Sequence, residues 1–193
     1  MNESKILAFA GSTRAASYNK QLIKFAAQGA QSAGAQITLI DLRDFPMPLY
    51  DGDLEESSGL PENAKKFKKF LREHDGLLIS SPEYNSSVTG VLKNAIDWAS
   101  RTETEDEPDL VCFKGKVAAL MSASPGGLGG LRGLVHLRSI LGNIGVIVLP
   151  EQVAISSAHE AFDDRGKIKD ERKAKQVIGI ATGLADFLKR LNE

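Results

Sequence analysis

The chain has 193 residues, 42% hydrophobic and 25% charged, which suits one well-packed domain over 1–193 and is short for two. Lys and Arg number 24 against 25 Asp and Glu, and a net charge of −1 gives no support for a nucleic-acid or membrane-surface binder. The single cysteine, Cys112, excludes an intrachain disulfide framework. With no apolar run near the roughly 18 residues of a membrane span and no signal-peptide pattern at Met1–Lys5, a cytoplasmic protein is expected.

Ile6-Leu7-Ala8-Phe9-Ala10 is a short apolar run closed by Gly11, and it reads as a buried first strand. Leu22, Ile23, Phe25, Ala26 and Ala30 then recur at helical spacing up to Gly34. Gln36–Asp41 is the second strand. An irregular segment from Leu42 to about Leu60 follows, and a connection that long in a compact domain is more often functional than a spacer. Pro61 opens a helix with Ala64, Phe67, Phe70 and Leu71 on one face, and Lys65, Lys66, Lys68 and Lys69 read as its solvated side.

Gly76–Ser80 is the third strand. A helix from about Gly90 carries Val91, Leu92, Ala95, Ile96, Trp98 and Ala99, and an acidic loop follows over 103–109. Val117–Met121 is the fourth strand, and Leu131, Leu134, Leu137 and Leu141 mark the next helix. Val146–Leu149 is the fifth strand, and a last helix runs from Val177 to Leu191. This alternation implies an α/β three-layer sandwich: a five-stranded parallel sheet covered on both faces, with flavodoxin-like order 2-1-3-4-5.

In such a sheet, ligands sit at the carboxyl edge, at the switch point between strands one and three. Two loops meet there. Gly11-Ser12-Thr13-Arg14-Ala15-Ala16-Ser17-Tyr18-Asn19 leads into a helix N-terminus, whose unpaired N–H groups and partial positive charge attract an anion. Ser12, Ser17 and Asn19 add donors, and Arg14 can pair bidentately with phosphate oxygens. The loop has one glycine and no Gly-Lys-Ser/Thr ending, so it is neither a dinucleotide turn nor a Walker A loop. Among Gly126, Gly127, Gly129 and Gly130, a dinucleotide turn counted from Gly127 fails at Arg132.

The second loop, Ser81-Pro82-Glu83-Tyr84-Asn85-Ser86, offers a proline, an aromatic ring and an amide, which suits a flat heterocycle. Gly126 and Gly127 let backbone N–H groups approach such a ring. A phosphate site beside a ring site points to a mononucleotide, with FMN as first candidate. Glu83 is assigned to loop-internal hydrogen bonding rather than acid–base work. His74, His136 and His159 have no partner at metal-ligand spacing, no metal site is expected, and Cys112 is assigned to packing. Trp98 and Ile96 are open to either a core or a subunit-contact reading.

On these two loops, extended through Ser87-Val88-Thr89-Gly90-Val91-Leu92-Lys93-Asn94-Ala95-Ile96-Asp97-Trp98, the chain resembles the NADPH-dependent FMN reductases, flavodoxin-like quinone, azo-dye and chromate reductases. The resemblance implies non-covalent FMN, with phosphate held by Ser12, Arg14, Ser17 and Asn19. It implies ring contacts from Pro82, Glu83, Tyr84, Asn85 and Ser86, and a third loop, Ser122 to Gly127, completing the site through Ser122, Gly126 and Gly127. It also implies NADPH (or NADH) as co-substrate, a small-molecule electron acceptor, and a homodimer or homotetramer. The Gly90–Ser100 helix is the expected subunit contact.

The leading reading is an oxidoreductase passing hydride from a nicotinamide to FMN and on to a quinone, flavin, azo dye or metal oxyanion. Its work is orientation, with no catalytic side chain. The alternatives are an FMN-binding electron carrier with no nicotinamide site, and an interaction protein of the same fold without cofactor.

Overall fold

The computed structural model describes residues 4–191. Its five strands are β1 (Lys5–Ala10), β2 (Gln36–Asp41), β3 (Gly76–Ser80), β4 (Val117–Ala123) and β5 (Ile147–Ile155), all parallel, in the order β2-β1-β3-β4-β5. β3 and β4 are wholly buried and β1 is buried beyond Lys5, whereas the two edge strands are partly exposed. A strand covered on both faces needs an unbroken apolar run, and the three central strands have one.

Alternate residues of each strand face opposite layers. Ile6, Ala8 and Met121 pack under α1 (Tyr18–Ser32) and α7 (Glu171–Leu191), against Leu22, Ile23, Val177 and Leu184. Leu7, Phe9, Ile79 and Leu120 pack on the other side. There they meet Phe67 and Leu71 of α3 (Glu62–Arg72), Leu92 and Ala95 of α4 (Gly90–Ala99), and Leu134 and Leu137 of α5 (Leu131–Asn143). Among the described residues, no helix is long and apolar enough to cross a membrane.

The fold departs from the sequence expectations in three places. The segment 42–60 is ordered: a 3-10 turn over Leu42–Asp44 leads to α2 (Gly52–Ser58). The Trp98 indole N–H and the Asn94 amide both donate to the Pro48 carbonyl at 2.8 Å, which fastens this segment to α4. Trp98 is thereby a core residue, fully buried.

β5 runs past Pro150, because the register with β4 jumps between Ala118 and Leu120 and absorbs the proline in an edge bulge. Arg138 donates to the carbonyls of Val148 and Pro150 and so fills the bulge. A short α6 (Ala158–Ala161) follows.

Lys68, finally, is not on a solvated face. It is 1% exposed, and its ammonium donates to Glu107 Oε2 at 2.5 Å and to the Arg101 carbonyl at 2.6 Å. Its spacing from Ala64 and Leu71 puts it on the buried stripe of α3.

Candidate functional site

β1, β3 and β4 end side by side, so the loops that follow them share one edge of the sheet. The first, from Gly11 to Ser17, is held at its base. Gly11 N–H donates to Ser80 O at 2.9 Å, and Thr89 Oγ1 donates to Gly11 O at 2.7 Å. The Ser12 hydroxyl accepts from Arg14 N–H.

At the start of α1, Ser17 occupies the cap position yet makes no side-chain capping bond, whereas Thr89 and Asp51 cap α4 and α2 with their side chains. Among the described residues, the amides of Thr13, Ala15, Ala16 and Ser17 meet no acceptor. Arg14 is exposed and pairs with no carboxylate among the described residues. Helix-terminal N–H groups, the Ser17 hydroxyl and the Arg14 guanidinium thus form a set that can cradle an anion.

Asn19 does something different. Its side chain is buried; Nδ2 donates to Ala123 O at 2.8 Å, and Oδ1 accepts from Ala123 N–H at 2.9 Å and from Ser80 Oγ at 2.8 Å. It ties the first turn of α1 to the ends of β3 and β4, and so holds the cradle in place.

The second loop is a tight turn. Tyr84 N–H donates to Ser87 O at 2.9 Å and Ser87 N–H to Tyr84 O at 3.0 Å. Asn85 and Ser86 between them have φ of 50° and 66°, as the central pair of a mirror-image turn does. Asn tolerates that region; Ser does so at a cost of about 1 kcal/mol or more. Pro82 is buried at the base, while Tyr84 is 59% exposed and Asn85 exposed beside it.

Glu83 leaves this loop altogether, which corrects its loop-internal assignment. Its carboxylate accepts from Arg132 and from Gly133 N–H at the start of α5. Burial opposes its charge, but Arg132 and Gly133 outweigh that and hold the carboxyl below the usual glutamate range.

In the third loop, Gly126 and Gly127 are exposed. Ser122 is fully buried beneath Gly130, and its hydroxyl has no hydrogen-bond partner. Its side chain therefore lies under the loop rather than on the edge.

Sequence reasoning gave Thr89, Ser80 and Arg132 no role in bracing these loops, and His136, expected to be structural or exposed, braces the second through Ser87. Only Thr89 left a local signal, a hydroxyl residue just ahead of a helical pattern. A cavity of about 640 Å³ runs along the outer side of the anion cradle, lined by Ala15, Ala16, Ser17, Lys20, Arg43 and Phe45 among others. Pro82–Ser86 do not line it.

A family model described as NADPH-dependent FMN reductase matches residues 4–160. An NAD(P)H-dependent FMN reductase of Pseudomonas aeruginosa is 40% identical over 178 residues, 92% of this chain and 90% of that one. A quinone reductase of Escherichia coli is 31% identical over 189 residues, 97% of this chain and 96% of that one. Among solved structures, the flavoenzyme NAD(P)H:(acceptor) oxidoreductase FerB of Paracoccus denitrificans superposes with a TM-score of 0.79 at 30% identity, covering 97% of this chain and 98% of that one. An α/β sheet of order 2-1-3-4-5, with an uncapped α1 start and a strained Tyr84–Ser87 turn at its carboxyl edge, thus accompanies similarity over nearly the whole chain to flavin-dependent reductases, and the chain belongs to the NADPH-dependent FMN reductase family.

Proposed function

We propose that this protein is an FMN-dependent NAD(P)H oxidoreductase that delivers electrons to a small acceptor of the quinone class. The observation that carries the reading is the start of α1, where Ser17 and the amides of Thr13, Ala15 and Ala16 keep their donors free beside Arg14. These groups fit the phosphate of FMN. Pro82, Tyr84, Asn85 and Ser86, with the backbone at Gly126 and Gly127, fit its ring.

When bound, FMN supplies a two-electron store that takes and gives hydride. The chain's own residues orient it. The cradle fixes the phosphate end, the turn sets the height of the ring, and exposed Tyr84 borders the face where nicotinamide and acceptor would stack in alternation. No carboxylate is free to act as a base at the turn, because Glu83 is engaged by α5.

The relatives are named as NAD(P)H-dependent FMN reductase and quinone reductase, which supports an enzyme over an electron carrier without a nicotinamide site. NADPH is the first choice of donor, on the description of the family. A homo-oligomer in the cytoplasm completes the proposal. The exposed side chains Tyr84, Leu128, Leu131 and Val135 favour a contact at the ring loop and α5, since the apolar residues Leu92, Ala95, Ile96 and Trp98 of α4 are buried in its own subunit.

The test is an anaerobic spectrum. The FMN-loaded protein should bleach in its visible band on adding NADPH and regain it on adding benzoquinone. A band that persists with both NADPH and NADH would leave only the carrier.

A further inference from the structure

Glu83 joins the ring turn to α5 from a nearly closed position, its side chain 8% exposed. Oε1 accepts from Arg132 Nε at 3.0 Å and Nη2 at 2.6 Å, and Oε2 accepts from Gly133 N–H at 3.1 Å. The other end of the turn is fastened to the same helix, with His136 Nδ1 2.9 Å from Ser87 Oγ.

The two elements also touch through backbone. A Cβ added at Gly133 would stand 3.1 Å from Ser87 O and 3.3 Å from Glu83 Cβ. Between these fastened ends lie Asn85 and Ser86 with their positive φ. A strained pair persists only where its surroundings over-determine it, and here the surroundings are the first turn of α5.

We propose that Glu83 is a positioning residue. Clamped by Arg132 and Gly133, its carboxylate holds the Tyr84–Ser87 turn at the height that receives the flavin ring. The proposal rests on the FMN reading above and assigns the ring half of that site to α5. It predicts that ring affinity is lost separately from phosphate affinity.

The experiment titrates apoprotein with FMN and, separately, with riboflavin, which has the ring and no phosphate. In Glu83→Gln both flavins should weaken together by about 10- to 100-fold, the effect of losing charge-assisted bonds. The ratio of the two dissociation constants should stay at the wild-type value. The visible band of the bound flavin should lose fine structure as the ring becomes less ordered.

Arg132→Ala removes the same clamp from a side chain that is 58% exposed, so it carries the test should Glu83→Gln fail to fold. Arg132→Lys should restore affinity only in part, because an ammonium lacks the rigid fork that aims Nε and Nη2 together at Glu83 Oε1. Variants that melt earlier yet bind both flavins within twofold of wild type would overturn the proposal. So would a variant that weakens FMN while sparing riboflavin, since that effect belongs to the phosphate end. Wild-type protein that binds neither flavin would instead overturn the FMN reading itself, before any variant is made.

Discussion

Asn19 grips both backbone groups of Ala123, a residue 104 positions away, donating to its carbonyl and accepting from its amide. The bond pair spans β1 and β3, so the start of α1 cannot shift without disturbing the end of β4. The anion cradle and the third loop are thereby one rigid unit.

Asn19→Ala would strand the Ala123 amide and carbonyl and leave the Ser80 hydroxyl without its acceptor. Each buried polar group left without a partner costs about 1–3 kcal/mol. We expect a loss of about 2–5 kcal/mol in urea unfolding, with unchanged denaturant slope. Asn19→Asp should not rescue it, because a carboxylate cannot donate to Ala123 O.

The cradle predicts the converse of the Glu83 clamp. On the proposed reading Arg14 and Ser17 hold the phosphate, so Arg14→Ala and Ser17→Ala should each lower FMN affinity about 10-fold or more, the worth of a charged hydrogen bond. Riboflavin affinity should stay within twofold. Paired titrations check this, and an equal loss for both flavins would move the phosphate elsewhere.

Lys68 and Glu107 form a buried ion pair whose loss the core cannot absorb. Burial raises the Glu107 carboxyl, but Lys68 and the Glu103 amide outweigh it and hold it below the ordinary range. A folded-state value below the unfolded one means stability that is full above the unfolded value of about 4.3 and is lost as pH falls through the folded one. Glu107→Gln should remove part of that acid dependence. It should also cost about 3–5 kcal/mol near neutral pH, by leaving the 1%-exposed Lys68 charge unpaired. Urea midpoints at pH 7 and pH 4 for both proteins measure the two effects.

Cys112 is buried, and that burial pushes its thiol up to about 11. Thiolate is the reactive form, so labelling by a thiol reagent at pH 8 should be slow in native protein and fast in urea. A native labelling rate near that of free cysteine would contradict this burial.

Much of the architecture was legible because its signals are local. Ile6–Ala10, Gly76–Ile79 and Val117–Met121 are unbroken apolar runs, each followed by a loop and a helical period, and such a series has few parallel solutions. β5 read short because Pro150 looks like a breaker, whereas an edge strand can bulge around it. The 42–60 segment read as irregular because its order comes from Asn94 and Trp98, some 46 and 50 residues away.

What the sequence by itself determined is therefore the sheet order and the pair of loops at its carboxyl edge, since both follow from patterns a few residues long. Only the tertiary structure decided which residues of those loops face outward and which brace from behind. Ser17, Arg14 and Tyr84 kept free groups, while Asn19 turned to Ala123, Glu83 to Arg132, and Ser122 under Gly130. For Asn19 and Glu83 the reason is physical: a buried polar side chain turns to its hydrogen-bond partner, and those partners lie 104 and 49 residues away along the chain, beyond the reach of any local pattern.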